Sequence, residues 1–292
     1  MGSLIRLIFI IVAVAFFTLI ERKILGYIHI RKGPNKPGFL GLFVPFADAI
    51  KLFLKECSFP FLGNKTLFFG ICILVLAIPI ILWVIFPVNS LSISLKFSVI
   101  FVLAWARVAV YGTLGVGWSS NSKYSFLGAI RAVAQTISYE VSITIIILCS
   151  VFMIFYDFSR TKQVPVVLFI WSGFLLFAVS ILAEANRSPF DFAEGERELV
   201  RGFNTEYSRV LFVMVFLAEY ISIIFMSFLS GLLFLRNGFL SIVSTGILLG
   251  FFYVWRRGTL PRLRYDQLIY LAWKVFLPIS LFILCLCRSL FS

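Results

Sequence analysis

Thirteen acidic side chains are all that 292 residues contain, and their placement is where chemistry would start. Glu140 directly precedes the apolar stretch Val141 to Cys149, and Glu219 stands nine residues into another. At the rise of an α-helix, one carboxylate lies about 5 Å and the other about 13 Å inside a helix end. A charged carboxylate in an apolar setting costs several kcal/mol, so each must find a partner or hold its proton. A third concentration runs from Ala183 through AEANRSPFDFAEGERELVRGFNTEYS. It holds Glu184, Asp191, Glu194, Glu196, Glu198 and Glu206 beside Arg187, Arg197 and Arg201. On a helix Glu194 and Glu198 would repel, whereas Glu194–Arg197 and Glu198–Arg201 would attract. Closely spaced carboxylates share protons. A solvated charged loop is the plain alternative, but Phe190, Phe192, Leu199 and Phe203 give this one apolar anchors. Glu184, Glu140 and Glu219 could then extend a polar route from loop to mid-membrane.

Other residues stand out by type and spacing. Glu21-Arg22-Lys23 closes the first apolar run, and Gly33, Pro34, Pro37 and Gly38 then enforce turns. The segment PFADAIKLFLKE, from Pro45, is too short to span a bilayer. On a helical wheel Phe46, Ile50, Phe53, Leu54 and Cys57 share one face, and Asp48, Lys51 and Lys55 the other. It reads as an interfacial helix, either a peripheral anchor or the wall of an opening for a lipid-like substrate. Lys274 lies inside the last run with Pro278 four residues on, which predicts a kink beside a charge. Arg107 lies within a run and calls for a carboxylate partner, and His29 is a lone histidine in a basic loop.

The elements that must carry these groups follow from composition. Hydrophobic residues are 61% and charged residues 13%, too little polar surface for a water-facing fold and too much apolar surface for a disordered chain. Eight runs are long enough to cross a bilayer, roughly Leu4–Ile20, Leu67–Val88, Phe97–Val116, Ile137–Phe155, Val164–Ala183, Val210–Phe234, Phe239–Trp255 and Leu268–Cys287. A helix satisfies its own backbone in lipid, and the runs lack the alternation of a barrel. The expected fold is an all-α polytopic membrane protein, one domain over residues 1–292, with about eight transmembrane helices, an interfacial amphipathic helix and a charged loop. The first run reads as a retained span and not as a removed signal.

Segments at about 21–66, 117–136, 184–209 and 256–267 would share one side. They carry eighteen of the 26 basic residues, which assigns that side to the cytoplasm or to a mitochondrial matrix. Only Asp157 among the acids lies on the far side. The net charge of +13 therefore reflects orientation and not nucleic-acid binding. The five cysteines and one histidine make no metal-ligand pattern, and there is no GxGxxG or P-loop, so no metal, nicotinamide, flavin, nucleotide or iron–sulfur site is expected within the chain. Three classes stay open on these grounds: a proton-coupling redox subunit, a proton-coupled transporter, and a structural anchor.

ERKILGYIHIRKGPN, ADAIKLFLKE, GAIRAVAQTISYE, NRSPFDFAEGE with GFNTEY, and LPRLRYDQLIYLAWKVFLP together resemble, in order and over essentially the whole chain, the quinone-site membrane subunits of respiratory complex I, the chain 1 family of NADH–ubiquinone oxidoreductases. His29 and Val44 stand where that family often has glutamine. The resemblance implies a core subunit of the proton-pumping enzyme, multi-pass in the mitochondrial inner membrane, with ubiquinone as substrate and phospholipid around it. Flavin mononucleotide and iron–sulfur clusters would reside in partners: the hydrophilic-arm iron–sulfur and quinone-site subunits and the neighbouring membrane-arm subunits. It also implies roles. Glu21, Arg22 and Asp48 would line the chamber and its entrance. Arg187, Asp191, Glu194, Glu196 and Glu198 would form the charged loop beneath the quinone head group. Glu140, Glu184, Glu206 and Glu219 would form a buried acidic path, and Arg262, Arg264, Tyr265 and Asp266 a docking surface for the hydrophilic arm. The high count of 35 phenylalanines fits a thymine-rich organellar gene.

Overall fold

The structure is a computed structural model that describes residues 2–56, 63–86, 98–159, 166, 170–191, 206–235 and 239–291. These residues form helices and short connections, with no strand among them. In chain order the helices are α1 (Gly2–Ile28), α2 (Val44–Leu54), α3 (Lys65–Ile85), α4 (Ser98–Ser119), α5 (Lys123–Ser159), α6 (Trp171–Glu184), α7 (Arg209–Phe234), α8 (Phe239–Thr259), α9 (Tyr265–Leu271) and α10 (Leu277–Phe291). Among the described residues, five stretches are long and apolar enough to cross a membrane: Lys65–Val84, Ser98–Ser119, Lys123–Ile154, Val210–Phe234 and Tyr265–Ser289. The protein is an all-α polytopic membrane protein.

Two segments expected between spans are helical instead. α1 continues through Glu21, Arg22 and Lys23 to Ile28, and α5 already begins at Lys123. The sequence of α5 before Ile137 mixes polar and apolar residues and holds three alanines with Leu127, Arg131 and Gln135, all of which lose little side-chain freedom in a helix. Polarity there marks the end of the apolar run and not the end of the helix. The turn between α4 and α5 is short. Ser120 donates to the Gly117 carbonyl at 2.8 Å and its Oγ lies 2.7 Å from the Ser125 hydroxyl, and Asn121 takes a positive φ of 52°.

The chain divides into two compact units, residues 1–131 with 193–222 and 254–260, and residues 132–192 with 223–253 and 261–292. In the first, α3 packs along α4. The approach is close because α4 offers glycine: a Cβ on Gly112 would stand 2.8 Å from Val75 Cγ2, the small-residue contact by which helices associate in lipid. Tyr207 plugs this pair, stacking on Phe68 with ring centroids 4.1 Å apart. Its hydroxyl lies 2.7 Å from Ser119 Oγ and donates to the Val116 carbonyl at 3.0 Å. Burial pushes that phenol well above its ordinary range, against a smaller downward pull from Ser119, so Tyr207 stays neutral and acts as a hydrogen-bonding wedge.

The second unit is built around one face of α5. Gln135, Tyr139, Ser142, Ile146, Cys149, Ser150 and Met153 are all buried, the three-and-four spacing of a single helical stripe. Its serines return their protons to their own helix, Ser142 to the Tyr139 carbonyl and Ser150 to that of Ile147, each at 2.8 Å, so these two hydroxyls are satisfied within the apolar interior. Phe234 is fully buried between Phe174 and Phe177, at centroid distances of 5.3 and 5.5 Å. Between α9 and α10 residues Ala272–Phe276 widen into a π-helical turn. Pro278 explains it, since its ring crowds the carbonyl of residue 274 and its nitrogen cannot donate. A π-helical turn thus stands where the sequence predicts a kink beside Lys274, with the Lys274 ammonium 4.4 Å above the Tyr270 ring.

Candidate functional site

In the first unit the nominated residues gather at the end of α1. Phe17 and Glu21, one turn apart, both face Tyr220 of α7: the Phe17 and Tyr220 rings are 5.9 Å apart, and the Tyr220 hydroxyl donates to Glu21 Oε2. The other oxygen, Oε1, accepts from Arg257 at the end of α8. α8 reaches it because Gly258 lets its backbone close on Ile28 and Leu25 of α1. Glu21 is only 6% exposed, so this is a sheltered ion pair with both carboxylate oxygens engaged. Neither Tyr220 nor Arg257 was nominated. Tyr220 stands beside the nominated Glu219 but a residue further round α7, and Arg257 reads in sequence as one more loop cation. The next residue, Arg22, donates to Asp48 Oδ2 at 2.6 Å, with both side chains about half exposed.

That pair joins the polar side of α2 to α1. Val44 and Pro45 are buried and the Phe46 ring meets Phe16 at 6.0 Å, whereas Phe46, Ile50, Phe53 and Leu54 are 45–80% exposed. The apolar face of α2 thus looks away from the chain, the disposition of an interfacial helix. Glu206 is exposed and Glu219 half-buried. Glu194, Glu196 and Glu198, with Arg197 and Arg201, lie outside the described residues.

In the second unit the site is a closed turn. α6 ends in a Schellman motif: the Asn186 N–H donates to Ala183 O and the Arg187 N–H to Leu182 O, both at 3.3 Å, with Asn186 at a φ of 49°. An asparagine in the left-handed position does here what glycine usually does. Gln135 of α5 then donates both amide protons, to Ala183 O and to Phe190 O at 2.8 Å each, so one fully buried side chain closes the turn from 183 to 190. Since both partners are carbonyls, the amide orientation is forced. Tyr139, one turn along α5, packs its ring on Phe190 and Phe276 and donates to the Leu268 carbonyl at 3.1 Å.

Glu140 and Glu184 come within electrostatic reach of each other, and Tyr253 within reach of Glu184. Glu184 Oε2 and the Tyr253 hydroxyl are both shut off from solvent and have no hydrogen-bond partner among the described residues. Two of the four nominated path acids, Glu140 and Glu184, are thus brought together, and the other two belong to the first unit. Tyr253 was not nominated, and a tyrosine inside an apolar run gives no sequence signal. Arg187 and Asp191 are half-buried on the turn, each with interactions inside the fold. The last basic loop leans on the same turn, the Leu263 N–H donating to Pro189 O at 3.1 Å. Arg262 is exposed, and Arg264 and Asp266 form an exposed pair at 3.2 Å, with Tyr265 between them opening α9.

The fold and these contacts define a helical membrane protein that shelters one carboxylate between an arginine and a tyrosine and gathers two others beside a clamped turn. The chain belongs to the NADH dehydrogenase family, whose profile matches residues 1–288. Relatives called NADH-ubiquinone oxidoreductase chain 1 include that of Aedes aegypti, 50% identical over 287 residues, and that of Locusta migratoria, 50% identical over 291; each alignment covers 96% of this chain and 92% of the relative. The Branchiostoma lanceolatum protein of the same name is 49% identical over 289 residues, again with 96% and 92% covered.

Proposed function

We propose that this chain is the quinone-site membrane subunit of a proton-pumping NADH:ubiquinone oxidoreductase, multi-pass in the mitochondrial inner membrane. The names of its relatives support that assignment. In this reading the end of α1, with Arg22, Asp48 and the outward apolar face of α2, borders the entrance for a lipid-like quinone. Arg187, Asp191, Glu194, Glu196 and Glu198 lie towards its head group, and Glu140, Glu184, Glu206 and Glu219 pass protons inward. Arg262, Arg264, Tyr265 and Asp266 face a hydrophilic-arm partner, whose flavin and iron–sulfur clusters would supply the electrons for ubiquinone.

The observation that carries the coupling role is the mutual reach of Glu140 and Glu184 beside the buried Tyr253 hydroxyl. Two carboxylates in one sheltered place hold fewer charges than two in water, because each ionisation raises the cost of the next. When a quinone nearby gains electrons, the added negative charge draws protons toward such a pair. Glu140→Gln removes one ionisation and keeps the shape. The assembled complex with Glu140→Gln is expected to form normally and to lose at least tenfold in NADH–ubiquinone turnover coupled to proton uptake. Wild-type turnover and pumping in that complex would refute the role.

A further inference from the structure

The cysteines take no part in the reading above, and two of them meet. Cys149 of α5 and Cys287 of α10 are buried, at 2% and 6% exposure, both are free thiols, and they lie close enough to interact directly. The packing around them accounts for the contact independently. Lower on α5, and on α9 and the π-helical turn that lead into α10, the Trp273 indole donates to Ser138 Oγ at 3.3 Å, the Tyr139 hydroxyl donates to Leu268 O, and the Tyr139 and Phe276 rings lie 5.6 Å apart. Ten residues separate Tyr139 from Cys149 and eleven separate Phe276 from Cys287. At the helical rise these are climbs of about 15 and 16 Å. Two stretches that meet at one level and rise by similar amounts bring Cys149 and Cys287 to the same height. Cys285, two residues before Cys287, is exposed and close enough to act electrostatically on Cys149.

We infer that Cys149 and Cys287 form an oxidisable dithiol, which a small uncharged hydroperoxide converts to a disulfide stapling α5 to α10. A neutral peroxide fits the place, since it enters apolar surroundings that exclude charged oxidants. In the first step the sulfur of one cysteine, losing its proton, attacks a peroxide oxygen; the O–O bond breaks, water leaves and a sulfenic acid remains. In the second, the other sulfur attacks the sulfenic sulfur; the S–O bond breaks, the S–S bond forms and a second water leaves. The two sulfurs give up two electrons and two protons in all, and one hydrogen peroxide becomes two waters. Cys149 stands nine residues along α5 from Glu140, so the staple forms about 14 Å from the acid pair and does not depend on the functional reading above.

The test uses the intact complex in its own membrane. Membranes are exposed to hydrogen peroxide, free thiols are alkylated under denaturing conditions, and peptides are mapped by mass spectrometry without reduction. The expected result is a linked peptide pair carrying Cys149 and Cys287, at least fivefold above untreated membranes and abolished by dithiothreitol. Recovery of both cysteines separately alkylated, over-oxidation of each alone, or linkage of Cys149 to Cys285 instead would overturn it. A second arm treats membranes with dibromobimane, which bridges neighbouring thiols. Bridging of Cys149 to Cys287 is expected; bridging without any peroxide-induced linkage keeps the contact and overturns the redox site. In a Cys287→Ser complex both products are expected to vanish, and their persistence would also overturn it.

Discussion

The turn from Ala183 to Phe190 depends on one side chain, and the substitution Gln135→Met measures how much. Methionine keeps length, volume and helix propensity and removes both amide donors. Phe190 O accepts from Gln135 at 2.8 Å, and Ala183 O accepts from Gln135 and, less closely, from Asn186 at 3.3 Å. A buried carbonyl left unsatisfied costs about 1–3 kcal/mol. That full cost falls on Phe190 O and a part of it on Ala183 O. An opposing term arises because Gln135 Oε1 is itself buried without a partner, and methionine abolishes it. The balance is a destabilisation of the turn of about 1–3 kcal/mol. Global unfolding is not a defined quantity for a membrane assembly, so the assay is local. Hydrogen–deuterium exchange of the Asn186, Arg187 and Phe190 amides in the assembled complex should accelerate roughly 5- to 150-fold, at about 1.4 kcal/mol per decade. Amides in the middle of α5 should not change. Exchange at the three turn amides within twofold of wild type would refute the claim that Gln135 closes the turn.

Other outcomes follow from the same contacts. Arg257→Met leaves the Glu21 carboxylate sheltered without its cation. Allowing for the part-exposed guanidinium, a loss of about 2–4 kcal/mol is expected, read as depleted complex on native gels, and Glu21→Gln in the same chain should restore part of it. Asp48→Asn breaks an ion pair whose members are 45–55% exposed. It should change thermal inactivation of the complex by no more than about 1 kcal/mol, yet raise the apparent KM for a long-tailed quinone several-fold if α2 borders the entrance. Gly112→Leu drives a side chain into Val75 and is expected to cost about 1–3 kcal/mol by forcing α3 from α4, seen as a lower inactivation temperature. Gly70→Ala, where a Cβ meets nothing within 4 Å, is the neutral control.

Much of the fold was legible because lipid leaves the backbone few options. The five stretches able to cross a membrane fall on expected runs, and the π-helical turn falls where Lys274 and Pro278 marked a kink. The helix ends were less legible. α1 and α5 run on through charged and polar residues because helix propensity continues where hydrophobicity stops. At the site, Glu21 and the Arg22 and Asp48 positions could be picked out as charges beside an apolar run. Gln135 could not, since its amide looks like any polar residue near a helix start, and its task exists only where the 183–190 turn arrives.

The sequence alone decided that this is a helical membrane protein and where its apolar runs lie. Each of these depends on how many apolar residues follow one another, a property of the chain read in a line. Tertiary structure decided the pairings: Glu21 with Tyr220 and Arg257, 199 and 236 residues away, Tyr139 with Leu268, and Cys149 with Cys287. In a water-soluble helix the polar face tells which way each side chain turns. A helix in lipid is apolar all round, so periodicity no longer reports its rotation, and only the packed neighbours fix which residues meet.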